Sequence, residues 1–172
     1  MSTPPFTVRP LRGDDGAAVD AVFAGLSPFG RSMRLGTTPA LPDEQRRRLL
    51  NGDGRTRLAL VAEVPEGGRV RPVGIAELIR TAPGRAELAI EVAGSWTRRG
   101  VGTRLLRELA RTAAGLGYTE LDAEVRAVNR PVIALLRRVF PATTTTRFGP
   151  ELVMTIPLTE GPAEGRAEGA VA

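Results

Sequence analysis

Ser95-Trp96-Thr97-Arg98-Arg99-Gly100-Val101-Gly102-Thr103 lies between an apolar run, Ala86 to Val92, and a segment whose apolar residues recur with helical spacing. A short glycine-rich turn that opens a helix leaves several backbone N–H groups without intrahelical acceptors, and the helix dipole makes that end attractive to anions. Arg98 and Arg99 bring two guanidinium groups to the same turn. The stretch reads as a cradle for phosphate, entered from a strand and left by a helix.

Downstream of the turn, Val101, Leu105, Leu109, Ala113 and Leu116 share one helical face, and Gly117 is placed to end the helix as a C′ glycine. Leu121 to Val125 then reads as a strand, Arg130 to Val139 as a helix opened by Asn129 and Pro131, and 143–148 with 152–157 as a last strand pair. Upstream, 57–64, 70–80 and 86–92 are apolar strands joined by turns at Pro65 to Gly68 and Pro83-Gly84. Before them come a strand over Thr7 to Arg12, a helix over 17–25 with an Asp cap, a short helix around Arg31 to Leu35, and a helix from Asp43 to about Leu50. The order predicts an α+β three-layer fold: a mixed, mostly antiparallel central sheet of about seven strands flanked by helices. Ala86 to Val125 forms its one parallel crossover unit. A single domain is expected over 1–158, and the Gly-, Ala-, Glu- and Pro-rich stretch 159–172 reads as a disordered tail.

Composition removes several chemistries. The chain of 172 residues has no Cys and no His, which excludes thiol and imidazole catalysis and zinc fingers; no metal is expected. All 24 basic residues are Arg, so the lysine of a Walker A loop is missing. The net charge of +5 admits a nucleic-acid partner, but aromatic residues at 4% are too few to stack bases, and none is expected. No apolar run approaches the roughly 20 residues that span a bilayer, and no signal peptide is evident, so a cytoplasmic protein is expected.

A dinucleotide fingerprint fails because Leu105 occupies its third glycine position. Thr97-Arg98-Arg99-Gly100-Val101-Gly102 instead resembles the pyrophosphate motif of the GNAT superfamily of N-acetyltransferases, with Thr97 standing where the family has Gln or Arg. Asn129, about 30 residues on, matches the family's pantetheine-holding Asn, and the order of elements agrees over 7–158. The resemblance implies acetyl-CoA as cosubstrate and no metal. It puts the pyrophosphate on amides from Arg99 to Thr103 (Arg99, Gly100, Val101, Gly102, Thr103), with Arg98 and Arg99 adding charge-assisted contacts, and the pantetheine along Glu91-Val92-Ala93 and on Asn129.

Acetyl transfer to an amine needs the amine neutral, and therefore a base. With His absent, the carboxylates are the candidates. Alternation in Ala86 to Val92 sets Glu87 and Glu91 on one face, about 13 Å apart at roughly 3.3 Å per residue, too far to share a proton. Glu87 precedes Gly100 by 13 residues, close to the spacing of the family's basic glutamate, and Ala86-Glu87-Leu88-Ala89 resembles the bacterial protein-lysine acetyltransferases. Glu87 is the expected base. Many family members hold a Tyr acid where this chain has Leu136, and Tyr118, the sole phenol, lies near a loop. Trp96 is expected to pack the turn, and the acceptor to meet Ser27 to Met33 and the strand around Glu77.

The leading reading is an acetyl-CoA-dependent N-acetyltransferase acting on a protein lysine or a small-molecule amine. A catalytically weak CoA-binding regulatory module is the alternative, motivated by Thr97 and Leu136, and a homodimer is left open.

Overall fold

The computed structural model describes residues 5–158. The expectation for 159–172 falls outside them. The elements are β1 (Thr7–Pro10), α1 (Gly16–Ala24), α2 (Pro28–Leu35), α3 (Asp43–Leu50), β2 (Arg57–Glu66), β3 (Arg69–Ala82), β4 (Arg85–Val92), a 3-10 turn (Gly94–Trp96), α4 (Val101–Gly115), β5 (Glu120–Arg126), α5 (Arg130–Val139), β6 (Thr144–Phe148) and β7 (Glu151–Pro157). They build the mixed seven-stranded sheet in the order β1-β2-β3-β4-β5-β7-β6. Every neighbouring pair is antiparallel except β4 and β5, which are parallel. The helix between a parallel pair is the α4 crossover, as the period change at Val101 requires.

Strand alternation sorts the core into two layers. Leu58, Leu60, Ala76, Leu78, Ala86 and Leu88 pack beneath α4 and α5, against Leu105, Leu106, Leu109 and Leu136. Ala59, Val61 and Ile75 pack on the other face against Val19, Val22, Phe23, Leu35 and Leu49 of α1, α2 and α3. Helices on both faces of one sheet make the three layers.

Local differences from the sequence reading have physical causes. Pro65 lies within β2, opposite Val70, and the hairpin is closed by Gly67 and Gly68, both at positive φ, a region open to glycine. Helix α2 begins at Pro28 rather than Arg31, because Ser27 accepts the Gly30 N–H on its side chain and Pro fits the first helical turn. Asp15 does stand at the N-cap of α1, yet its carboxylate makes no cap bond; it accepts from the Arg9 guanidinium and from the Arg12 N–H. On α4, Leu106 replaces Leu116 in the buried stripe. Leu116 falls at the C-cap and is exposed, because Gly117 (φ 91°) turns the chain away there. The Gly117 N–H donates to the Ala114 carbonyl and the Tyr118 N–H to Ala113, a Schellman ending.

Candidate active site

Strands β4 and β5 are paired only over Arg85–Glu87 against Glu120–Asp122. Beyond Glu87 they part, while β4 stays paired to β3 as far as Val92 and β5 to β7 as far as Arg126. The carboxyl ends of two parallel strands thus face one cleft, each followed by a helix: α4 after β4 and α5 after β5. Such divergence at strand carboxyl ends is where open sheets take ligands.

The edge of β4 that faces this cleft is set by hydrogen-bond alternation. The Ala93 N–H donates to the Val73 carbonyl and the Ala93 carbonyl accepts from the Trp96 N–H, so both its backbone groups are spent inside the protein. With regular pairing from Gly74 to Arg80, Glu91 likewise points its backbone to β3, and Leu88, Ile90 and Val92 point theirs into the cleft. Of Glu91, Val92 and Ala93, it is Val92 whose backbone meets the opening.

The glycine-rich turn closes the end of the cleft. Gly100 is the N-cap of α4 at φ 85°, and its carbonyl accepts from the Arg104 N–H, so the N–H groups of Val101, Gly102 and Thr103 have no intrahelical acceptor. Arg98 also has a positive φ, 60°, a conformation that an L residue adopts at a cost. Trp96 is buried and packs the turn; the Arg99 guanidinium stacks 4.7 Å from its ring centroid. The Thr97 hydroxyl donates to the Gly94 carbonyl at 2.9 Å, which gives this departure from the family motif a structural use. Arg138 of α5 reaches the Thr103 hydroxyl and adds a third guanidinium at the helix start. Sequence gave no sign of that contact, because it crosses 35 residues between two helices.

On the far wall Asn129 is the N-cap residue of α5 but makes no side-chain cap bond, and its carboxamide has no hydrogen-bond partner among the described residues. Leu136 is fully buried, a core residue facing α4 and the sheet. Tyr118 is buried and its hydroxyl donates to the Arg55 carbonyl at 2.7 Å. Neither stands in the cleft.

The residues expected to meet the acceptor lie on the sheet face under α2 and α3. Glu77, Glu87 and Glu91 all project there, because Glu87 is opposite Ile79, Ala89 opposite Glu77 and Glu91 opposite Ile75. Arg34 of α2 donates through Nε to Glu91 and through Nη2 to Glu77 at 2.9 Å, tying the helix to two strands. Glu91 is 4% exposed, its Oε2 has no hydrogen-bond partner among the described residues, and burial pushes its carboxyl up against the opposing pull of Arg34. Burial and the neighbouring Glu91 charge push Glu77 to about 7. Glu87 is half-buried and unpaired among the described residues; burial raises it, helped by Glu124 and Glu77. A cavity of about 170 Å³ opens beside it, lined by Arg34, Gln45, Arg48, Glu77, Ile79, Glu87, Leu88 and Ala89. The structure therefore brings together Glu87, Glu77 and the α2 segment, and puts the Glu91 carboxylate beneath Arg34 rather than in the cleft. Among the described residues no three His, Cys, Asp or Glu side chains are grouped as metal ligands would be, and no helix is long and apolar enough to cross a membrane.

A mixed sheet whose one parallel pair opens beside a helix start with unsatisfied N–H groups, with a carboxylate at the fork, is the architecture of a group-transfer protein with room for a phosphate-bearing cosubstrate. A sequence model of the acetyltransferase (GNAT) family matches residues 29–140. An acetyltransferase of Pseudomonas aeruginosa is 32% identical over 129 residues, which are 72% of this chain and 67% of that protein. Among solved structures, the GNAT domain of S. lividans PAT superposes with a TM-score of 0.78 at 23% identity over 88% of this chain and 89% of that one. The protein yncA from Salmonella typhimurium, solved with its cofactor acetyl-CoA, superposes with a TM-score of 0.64 at 20% identity over 94% and 98% of the two chains. These two likenesses carry the fold. The chain belongs to the GNAT family: it is an N-acetyltransferase that works with acetyl-CoA.

Proposed function

We propose that the protein transfers acetyl from acetyl-CoA directly to an amine, a protein lysine or a small molecule, with Glu87 as general base. The observation that carries this reading is the position of Glu87 at the last residue of β4 paired to β5, where the cleft opens and the cavity begins. The N–H groups of Val101, Gly102 and Thr103 bind the pyrophosphate, with Gly100 shaping the turn and Arg98 and Arg99 adding charge. The Val92 backbone and the Asn129 carboxamide hold the pantetheine arm, while Glu91 and Ala93 support that edge through β3 and the 3-10 turn. The enzyme works in the cytoplasm, which supplies acetyl-CoA.

Glu87 takes a proton from the acceptor ammonium, directly or through one water, and its raised pKa makes it a stronger base than an exposed carboxylate. The amine nitrogen then forms a bond to the acetyl carbonyl carbon, the carbon–sulfur bond breaks, the sulfur leaves with the electron pair, and the second nitrogen proton passes to the departing thiolate or to water. A thiol of ordinary acidity, near pKa 8.5, leaves as thiolate close to neutral pH, so catalysis does not demand an acid where Leu136 stands.

Calorimetry with acetyl-CoA and thiol release with a panel of amines test this reading. Glu87→Gln is expected to lower kcat by about 100-fold or more while the Kd for acetyl-CoA changes less than about twofold. An unaltered kcat across the pH profile removes Glu87 as base, and tight binding without thiol release from any amine favours the regulatory module. The chain contains no lysine, so acetylation of a protein acceptor is not confused with acetylation of its own side chains.

A further inference from the structure

The cavity beside Glu87 is bipolar. Its floor on β3 and β4 presents Glu87, which accepts no hydrogen bond among the described residues, and Glu77, where only Oε1 accepts, from Arg34. Its roof comes from α2 and α3. There Arg34 spends Nε and Nη2 on the two glutamates, and among the described residues neither its Nη1 nor the Gln45 carboxamide makes a hydrogen bond. Among the described residues Arg48 pairs only with Glu44, one turn away on the same exposed helix face, a kind of pair that contributes little and is readily exchanged. Unspent acceptors on one wall and unspent donors on the other call for a ligand that carries both charges.

Resting on the acetyltransferase reading above, we propose that the acceptor is a small amino carboxylate. Its ammonium is held by Glu87 and Glu77 on the sheet, and its carboxylate by Arg48, Gln45 and the free Nη1 of Arg34. The size agrees. An apolar cavity of about 150 Å³ holds a benzene ring, so about 170 Å³ takes a molecule of roughly six to eight heavy atoms. Ile79 and Ala89 give the aliphatic stem an apolar strip between the two walls. A diamine is disfavoured, because its second ammonium would meet the two guanidinium groups of the roof. A lysine side chain inserted from a protein would carry only methylenes past Arg48 and Gln45 and make no use of their donors.

The test compares glycine, alanine, larger α-amino acids and straight-chain ω-amino acids with their primary amides, their decarboxylated amines and lysine peptides. Thiol release with acetyl-CoA is one readout, and saturation-transfer NMR of the same compounds on the full chain with coenzyme A present is the other. At least one amino carboxylate is expected to exceed its own amide and decarboxylated amine by about tenfold or more in kcat/KM, the usual weight of a charge-assisted contact. In Arg48→Gln that carboxylate-to-amide ratio is expected to collapse toward one, through KM rather than kcat. Equal or better turnover of amides, amines or lysine peptides overturns the proposal, as does an Arg48→Gln ratio equal to that of the wild type. Amino carboxylates that give no NMR transfer overturn it even if other amines are acetylated. Failure of acetyl-CoA to bind by calorimetry instead removes the acetyltransferase reading, and amino-carboxylate binding then still decides the cavity.

Discussion

Replacing Arg34 by Met tests the buried charge network of Arg34, Glu77 and Glu91. The side chain keeps its length and apolar stem but loses the one guanidinium that faces both Glu77 and Glu91. Glu91 is 4% exposed and Glu77 is 9% exposed, so neither can turn to water without moving α2. Removing one partner from a buried ion pair costs about 3–5 kcal/mol, because the charge left behind is unpaired. For a domain of this size that corresponds to a fall in Tm of roughly 6–20 °C. The loss is expected in full at pH 8. It shrinks as pH falls to 5, since a protonated carboxyl needs no cation and both groups already titrate high through burial. Urea unfolding of wild type and Arg34→Met at pH 5, 6.5 and 8 measures this, and Arg34→Met combined with Glu77→Gln and Glu91→Gln is expected to recover most of the loss at pH 8. A single variant within about 1 kcal/mol of wild type at every pH refutes the reasoning.

Glu77 alone makes a further pH prediction: it holds its proton to about 7 in the native state and to about 4.5 when unfolded, so its contribution makes stability fall as pH rises between those values. The stability of wild type relative to Glu77→Gln should therefore drop by up to about 3 kcal/mol from pH 4.5 to 7.5, at about 1.4 kcal/mol per unit; a pH-independent difference contradicts the burial account. Gly100→Ala meets no atom within 4 Å but must hold φ 85°, so it is expected to cost about 1–2 kcal/mol and to weaken acetyl-CoA binding. Gly36→Ala, equally free of contacts but at φ 60° and ψ −120°, outside the left-handed helical well, should cost more stability than Gly100→Ala without the binding defect; equal calorimetric losses for both variants argue against the cradle. Tyr118→Phe removes a buried hydrogen bond to the Arg55 carbonyl and should lower stability by about 1 kcal/mol with kcat intact; a fall in kcat would return Tyr118 to the chemistry.

Much of the candidate site's geometry was legible because it is carried by local signals. Gly100 and Gly102 flank the first helical position after a strand, and the N–H groups they expose follow from helix geometry alone. Glu87 and Glu91 fall on one face by the two-residue period of a strand, and the pairing with Ile79 and Ile75 bears that out. Arg34, Gln45 and Arg48 carried no such signal. They sit on short helices whose placement over β3 and β4 depends on contacts 43 and 57 residues distant for Arg34 alone. Leu136 and Leu106 show the same division: periodicity identified a buried face for each helix, but which residues end fully enclosed depended on how α4 and α5 meet.

The sequence by itself determined the alternation of strand and helix, the single crossover at Val101, the glycine-rich helix start and the exclusion of Cys and His chemistry. Only the tertiary structure decided that β4 and β5 separate after Glu87, that Val92 rather than Ala93 turns its backbone to the opening, and that Glu91 lies beneath Arg34. The physical reason is range. Propensity, capping and period act within a turn or a strand, whereas pairing register and charge burial are fixed when distant segments compete for the same partners.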